Sequence, residues 1–202
     1  ALGRNPLMLT IIAFLYADTE FVLPHSRAEF YDNAVTVLLE QWKEKRNRYK
    51  AASKRLVMRH LALFMQDTAP ERGQERRTID LPLLLAEIKK ALPALNLKDD
   101  EAQPLLDELV ERSGLMIGLE GGLKYQFTHL TLQEFFAAQA LGDDYQGLLR
   151  RFTADPDAWR EVVKLWCGLE HDSTALLSEL YTLDRQTALE CLADAQKIDP
   201  AL

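Results

Sequence analysis

Between Gly114 and Phe127 the chain changes its period, and that change constrains the fold more than any other feature. Up to Arg112 the apolar residues recur at helical spacing. Ala102, Leu105, Leu106, Leu109 and Val110 form one stripe of an amphipathic helix opened by Asp99 or Asp100. Gly114 then stands where a glycine commonly ends a helix. Leu115-Met116-Ile117-Gly118-Leu119 reads as a strand, and Glu120-Gly121-Gly122 as a tight turn. Leu123-Lys124-Tyr125-Gln126-Phe127 alternates as a second strand. Directly afterwards, Thr131-Leu132-Gln133-Glu134 is a capping-box pattern that opens a helix through Leu141.

Two helical patterns precede this block. Residues 53–67 place Leu56, Val57, Leu61, Phe64 and Met65 on one face. Residues 80–91, with Leu92 just beyond, do the same with Leu84, Leu85 and Ile88. A polar loop, Ala69 to Thr78, lies between them. Three helices, a hairpin and a closing helix are a winged-helix-like order. Nearer the N-terminus, residues 5–17 read as a helix apolar all round, with Pro6 in its first turn. Ser26 and Glu29 form another capping box, opening a helix to about Glu44 marked by Tyr31, Ala34, Val35, Leu38 and Trp42. Beyond residue 142 all is helical. Asp155-Pro156 is an N-cap followed by proline, and Trp159, Val162, Val163, Trp166 and Leu169 share a face. Two short helices follow, at about 173–183 and 185–197. Their lengths resemble stacked helical repeats.

The expected fold is mainly α. It comprises a helical-bundle segment (1–50), a winged-helix domain with one β-hairpin (51–142), and a repeat-like C-terminal helical segment (143–202). With 48% hydrophobic residues the chain can bury a sizeable core. Cys167 and Cys191 stand far apart in apolar helical patterns without a CxxC pairing, which suits reduced thiols in a cytoplasmic protein. His25, His60, His129 and His171 are scattered and show no zinc-ligand spacing. The most apolar run, Pro6 to Tyr16, falls short of the roughly 20 residues of a membrane-spanning helix, so no membrane partner is expected. Both ends read as cut from a longer protein.

No phosphate loop, GxGxxG, HExxH or GxSxG is present, and no acidic pair stands out, so no enzyme is expected in this segment. The informative polar residue is His129, between the strand ending at Phe127 and the helix capped at Thr131. A helix N-terminus offers free N–H groups and a positive dipole end, and an imidazole beside it can donate a hydrogen bond to a phosphate or carboxylate. The alternative is a structural histidine that ties the hairpin to the helix.

Four strings carry a resemblance. Tyr125-Gln-Phe-Thr-His-Leu-Thr-Leu-Gln-Glu-Phe-Phe-Ala-Ala138 resembles the winged-helix motif of NACHT-type nucleotide-switch ATPases of the signal-transducing (STAND) class, which includes animal and bacterial immune receptors. Asn5-Pro-Leu-Met-Leu-Thr10 resembles the proline segment opening their first helical domain. Leu23-Pro-His-Ser-Arg-Ala-Glu-Phe-Tyr31 resembles the next helix start there, and Glu111-Arg-Ser-Gly-Leu115 the lead-in to the hairpin. In order, they cover about residues 3–141.

The resemblance implies a regulatory fragment of bacterial immune or signalling type. ADP would be trapped between an upstream nucleotide-binding domain and this chain, with Pro6 near the adenine and His129 on the β-phosphate, holding the closed, inactive form. Exchange for ATP would break that contact and free the full-length protein to form homo-oligomers. The phosphate loop and Mg²⁺-binding acidic motif lie upstream in that family. This segment is therefore expected not to hydrolyse ATP, and to bind ADP or ATP only within the full-length parent.

Two other readings compete. A winged helix can bind nucleic acid, but the helix at about 100–112 carries Asp107, Glu108 and Glu111, preceded by Asp99, Asp100 and Glu101, against Lys98 and Arg112. Acid there repels phosphate, and the net charge of −7 argues against nucleic acid generally. The basic run Lys43, Lys45, Arg46, Arg48, Lys50, Lys54, Arg55 and Arg59 is the better nucleic-acid candidate, weighed against a solvated interdomain helix. A helical protein-interaction module is the other alternative, with Trp159 and Trp166 as anchors if exposed.

Overall fold

A computed structural model describes residues 24, 26–41, 47–68, 76–169 and 172–199. Helix α1 (Arg27–Thr36) starts as the sequence implies: the Ser26 hydroxyl accepts from the Glu29 N–H at 3.1 Å. It passes into a π-helical turn at Val37–Gln41. Helix α2 (Ala51–Asp67), strand β1 (Ile79–Asp80) and helix α3 (Leu81–Ala91) follow. Short 3₁₀ turns at Leu92–Leu95 and Asp99–Glu101 lead into α4 (Ala102–Glu111). The chain then forms strands β2 (Met116–Leu119) and β3 (Lys124–Phe127) and helices α5 (Leu130–Leu141), α6 (Tyr145–Ala154), α7 (Pro156–Cys167), α8 (Thr174–Leu183) and α9 (Arg185–Leu192).

The hairpin forms with Met116 opposite Phe127 and Leu119 opposite Lys124. Its turn needs positive φ at three successive residues, Glu120 (50°), Gly121 (69°) and Gly122 (90°), which two glycines tolerate and most side chains do not. The sheet has a third strand that the sequence does not announce. Strand β1 pairs antiparallel with β3, Ile79 opposite Tyr125, to give the order β1-β3-β2. Two residues are too few to show a period, so this strand exists by virtue of its partner.

Helix α5 is the centre of the molecule. Leu132 to Ala138 are all buried, as is Leu141, because α2 covers one side of the helix and α7 another. Phe135 and Phe136 bind three elements together: Phe136 lies 6.2 Å from Phe127 of β3, and Phe135 lies 6.0 Å from Tyr31 of α1. The buried core runs without a break from Ala28 through α5 to Cys191. Polar ties follow the same path. Trp166 Nε1 donates to the Gly142 carbonyl (2.7 Å), the Gln66 amide to the Ala158 carbonyl (2.7 Å), and the Ser26 hydroxyl to the Gly168 carbonyl (3.0 Å).

Three expectations are corrected. Helix α5 begins at Leu130 with His129 as N-cap, not at Thr131, because the Leu132 and Gln133 N–H groups already donate to the His129 carbonyl at 3.0 and 3.4 Å. Glu134 consequently turns into the interior and does not serve the cap. The last helix stops at Leu192, not near 197, and Lys197 instead bridges to Asp172. The helix expected at 5–17 lies outside the described residues, as does the end of the second near Glu44.

Candidate functional site

His129 is clamped from both sides. Before it, the Thr128 N–H donates to the Leu115 carbonyl at 3.0 Å, and the Thr128 hydroxyl donates to the Gly114 carbonyl, closing the base of the hairpin. After it, the first turn of α5 hangs from its own carbonyl. Its backbone is extended, at φ −139° and ψ 137°, as an N-cap requires. The side chain is half-buried, and burial pushes its pKa below the ordinary histidine value. A neutral imidazole presents one N–H donor, and the opening turn of α5 adds backbone N–H groups and a positive dipole end. That combination suits phosphate oxygens. Pro6 lies outside the described residues, so the two residues expected to touch nucleotide are not seen together.

A little more than one turn along α5, Glu134 is the unusual acid of the region. Burial, and then the nearby Glu161 carboxylate, push it up to about 7, against the pull of Arg77, Arg27 and Lys164. With Leu130, Arg76, Arg77 and Asp155 it lines a cavity of about 290 Å³ at the head of α5. Its capping-box pattern concealed this role, since only the true start of the helix turns position 134 inward.

Among the described residues of the basic run, Arg48, Lys54, Arg55 and Arg59 find partners within the chain. Lys54 is 1% exposed; its ammonium pairs with Glu108 at 3.3 Å and donates to the Leu39 carbonyl at 3.0 Å. Arg55 pairs with Asp32 at 2.6 Å, Arg59 donates to Gln139 at 3.1 Å, and Arg48 pairs with Glu101 at 2.6 Å. Lys43, Lys45 and Arg46 lie outside the described residues. Helix α4, in the position of a recognition helix, exposes Gln103, Asp107 and Glu111, while Glu108 turns inward. The pairs of Lys54 and Arg55 tie α2 to α4 and α1.

Trp159 (3% exposed) and Trp166 (1%) are core residues, which removes them as anchors for a partner. The exposed large apolar side chains of the C-terminal helices are Tyr181, Leu183, Leu189 and Leu192. Among the described residues no helix is long and apolar enough to cross a membrane, and no group of histidine, cysteine or acidic side chains could hold a metal ion.

Residues 27–141 match a family model described as a winged helix-turn-helix domain C-terminal to NACHT. The match runs from the first residue of α1 to the last of α5 and takes in the whole sheet. No characterised protein and no solved structure matches the chain.

Proposed function

The chain belongs to the family of winged helix-turn-helix domains C-terminal to NACHT, and from that premise we propose that it is the regulatory wall of a NACHT-type nucleotide switch. Its partner is the nucleotide-binding domain that precedes it in the full-length protein. His129 holds the β-phosphate of ADP bound there and so favours the closed, inactive form. The chain acts by contact and carries out no hydrolysis itself; ADP or ATP is held only when the nucleotide-binding domain is present. Exchange of ADP for ATP releases the contact and permits homo-oligomerisation, in cytoplasmic signalling of the bacterial immune type.

The position of His129 carries this reading: a half-buried imidazole fixed at the head of α5 by the hairpin on one side and the helix on the other. Rigid placement matters because a hydrogen bond to phosphate is useful as a latch only if the donor does not follow the ligand when it leaves. A depressed pKa supports the same role. Before nucleotide binds, the imidazole is neutral near pH 7, and a diphosphate nearby would favour its protonated form, so nucleotide binding and proton uptake are coupled.

The test uses the full-length protein. His129→Ala is expected to release ADP faster, by about tenfold for a lost charge-assisted hydrogen bond of roughly 1.5 kcal/mol, and to raise basal activity. Nucleotide content after gel filtration and the ADP off-rate measure this. Unchanged ADP retention in a variant with wild-type circular dichroism would falsify the phosphate role.

A further inference from the structure

Glu134 is a carboxyl that the nucleotide contact of His129 leaves unused. It is 8% exposed, and among the described residues no donor hydrogen-bonds to it and no cation pairs with it. Yet the carboxyl is not sealed in packed protein. It opens on the cavity of about 290 Å³ where the heads of α5 and α7 meet the last turn of α2. Leu130 and Ala158 give that cavity apolar walls.

An ionised carboxylate held out of water is costly unless a cation meets it. The surrounding charges define what is missing. Arg76 is taken by Asp155 at 2.6 Å. Asp155 also accepts from the Ala158 N–H at 3.2 Å, and Asp157 stands in the first turn of α7, so the positive end of that helix is covered. The dipole of α5 fades within its first turn, before Glu134 is reached. Arg77 and Asp157, both exposed, offset each other in charge. Outside the lining, Glu161 is shared by Arg27 at 3.1 Å and Lys164 at 2.9 Å, which Asp194 and Glu190 also meet. An ionised Glu134 therefore leaves the cavity one cation short of neutral.

We propose that this cavity is a binding site for one guanidinium group, with Glu134 as its carboxylate partner and Leu130 and Ala158 against the alkyl stem that carries it. A guanidinium is more weakly hydrated than an ammonium, and its planar fork matches a carboxylate, so it loses least on entering a desolvated site. A metal ion fits poorly, because among the described residues no group of acidic, histidine or cysteine side chains could hold one. Burial pushes the carboxyl of the empty site up to about 7, so near neutral pH the incoming cation displaces a proton. The guanidinium is carried by an arginine of another polypeptide segment or by a free guanidino compound. The inference stands on the cavity and is independent of the nucleotide role of His129.

The experiment titrates the full chain calorimetrically with three probes. Butylguanidinium stands for a free compound, N-acetylarginine N-methylamide for an arginine within a polypeptide, and butylammonium is the control. At pH 8 at least one guanidinium probe should bind with a dissociation constant of about 1 mM or below. Tighter binding of the blocked arginine assigns the site to a polypeptide; equal or tighter binding of butylguanidinium assigns it to a free compound. Affinity for the better probe should fall about tenfold from pH 8 to pH 6, with proton release read from two buffers of different ionisation heat. Glu134→Gln should weaken binding by about tenfold or more and remove the pH dependence. Four results would each overturn the proposal: no binding of either guanidinium probe at about 10 mM, affinity independent of pH, unchanged affinity in a folded Glu134→Gln variant, or butylammonium bound as tightly as butylguanidinium. Because the pH profile and proton release are read on wild type, a glutamine variant that fails to fold leaves the test intact.

Discussion

At Glu134 burial and charge disagree. Its carboxyl, ordinarily near 4.5, is pushed up to about 7 by desolvation and by Glu161. Between those values the folded chain holds a proton that the unfolded chain has released. Stability therefore falls as pH rises through this window, by on the order of 3 kcal/mol once both states are ionised. Glu134→Gln keeps the shape and removes the charge. It should stabilise the chain by roughly 1–3 kcal/mol at pH 8 and by little at pH 5, as read from urea unfolding. Equal effects at both pH values would mean that the carboxyl titrates normally. His129 runs the other way: its folded pKa is depressed, so stability drops as pH falls below about 6.5.

Among the elements, α4 shows best how a helix read as acidic surface becomes a fastener. Glu108 accepts from the Arg48 N–H at 2.9 Å and the Tyr49 N–H at 3.4 Å while pairing with Lys54 and Arg112. Burial opposes its ionisation, yet these donors together hold its pKa below the usual value. One carboxylate thus pins the segment entering α2 against α4. Removing either partner of a buried pair strands the other, but not equally. Lys54→Met leaves Glu108 with its backbone donors and should cost about 1–3 kcal/mol. Glu108→Leu leaves a buried ammonium and two unmet N–H groups and should cost about 3–5 kcal/mol. The order of the two denaturation midpoints is the check, and a reversed order would refute this account of the latch. Periodicity had placed Leu105, Leu106 and Leu109 on the buried stripe correctly, and all three are 0% exposed. It could not show that Glu108 falls beside them, because a charge reveals its partner only when Lys54 arrives from another helix.

The whole molecule is joined through α5 and along the outer edge of α7. Arg27, at the start of α1, reaches Asp194 at 2.9 Å and Glu161 at 3.1 Å, so the first described helix touches both α7 and the turn that follows α9. These pairs are partly exposed, and each is worth well under about 1 kcal/mol. Arg27→Ala should leave the unfolding midpoint nearly unchanged. It should speed amide exchange in α9 and the residues just after it by about two- to fivefold through easier local opening. Unchanged exchange would assign the docking of that segment to apolar packing alone.

Local sequence determined the local features of this protein. Helix periods, the glycine-rich turn at 120–122, the Ser26 and Asp155 caps and the hairpin register all follow from neighbours within a few positions, where propensity and period act. The special position of His129 was legible for the same reason, and motif resemblance supplied the role proposed for it. Tertiary structure alone decided what depends on partners from distant segments. It made β1 a strand, turned Glu134 inward by starting α5 at Leu130, drew Lys54 out of a basic run into a buried pair, and covered Trp159 and Trp166. The physical reason is common to all of these. Burial and pairing are properties of the space between elements, and that space exists only once α2, α5 and α7 have packed.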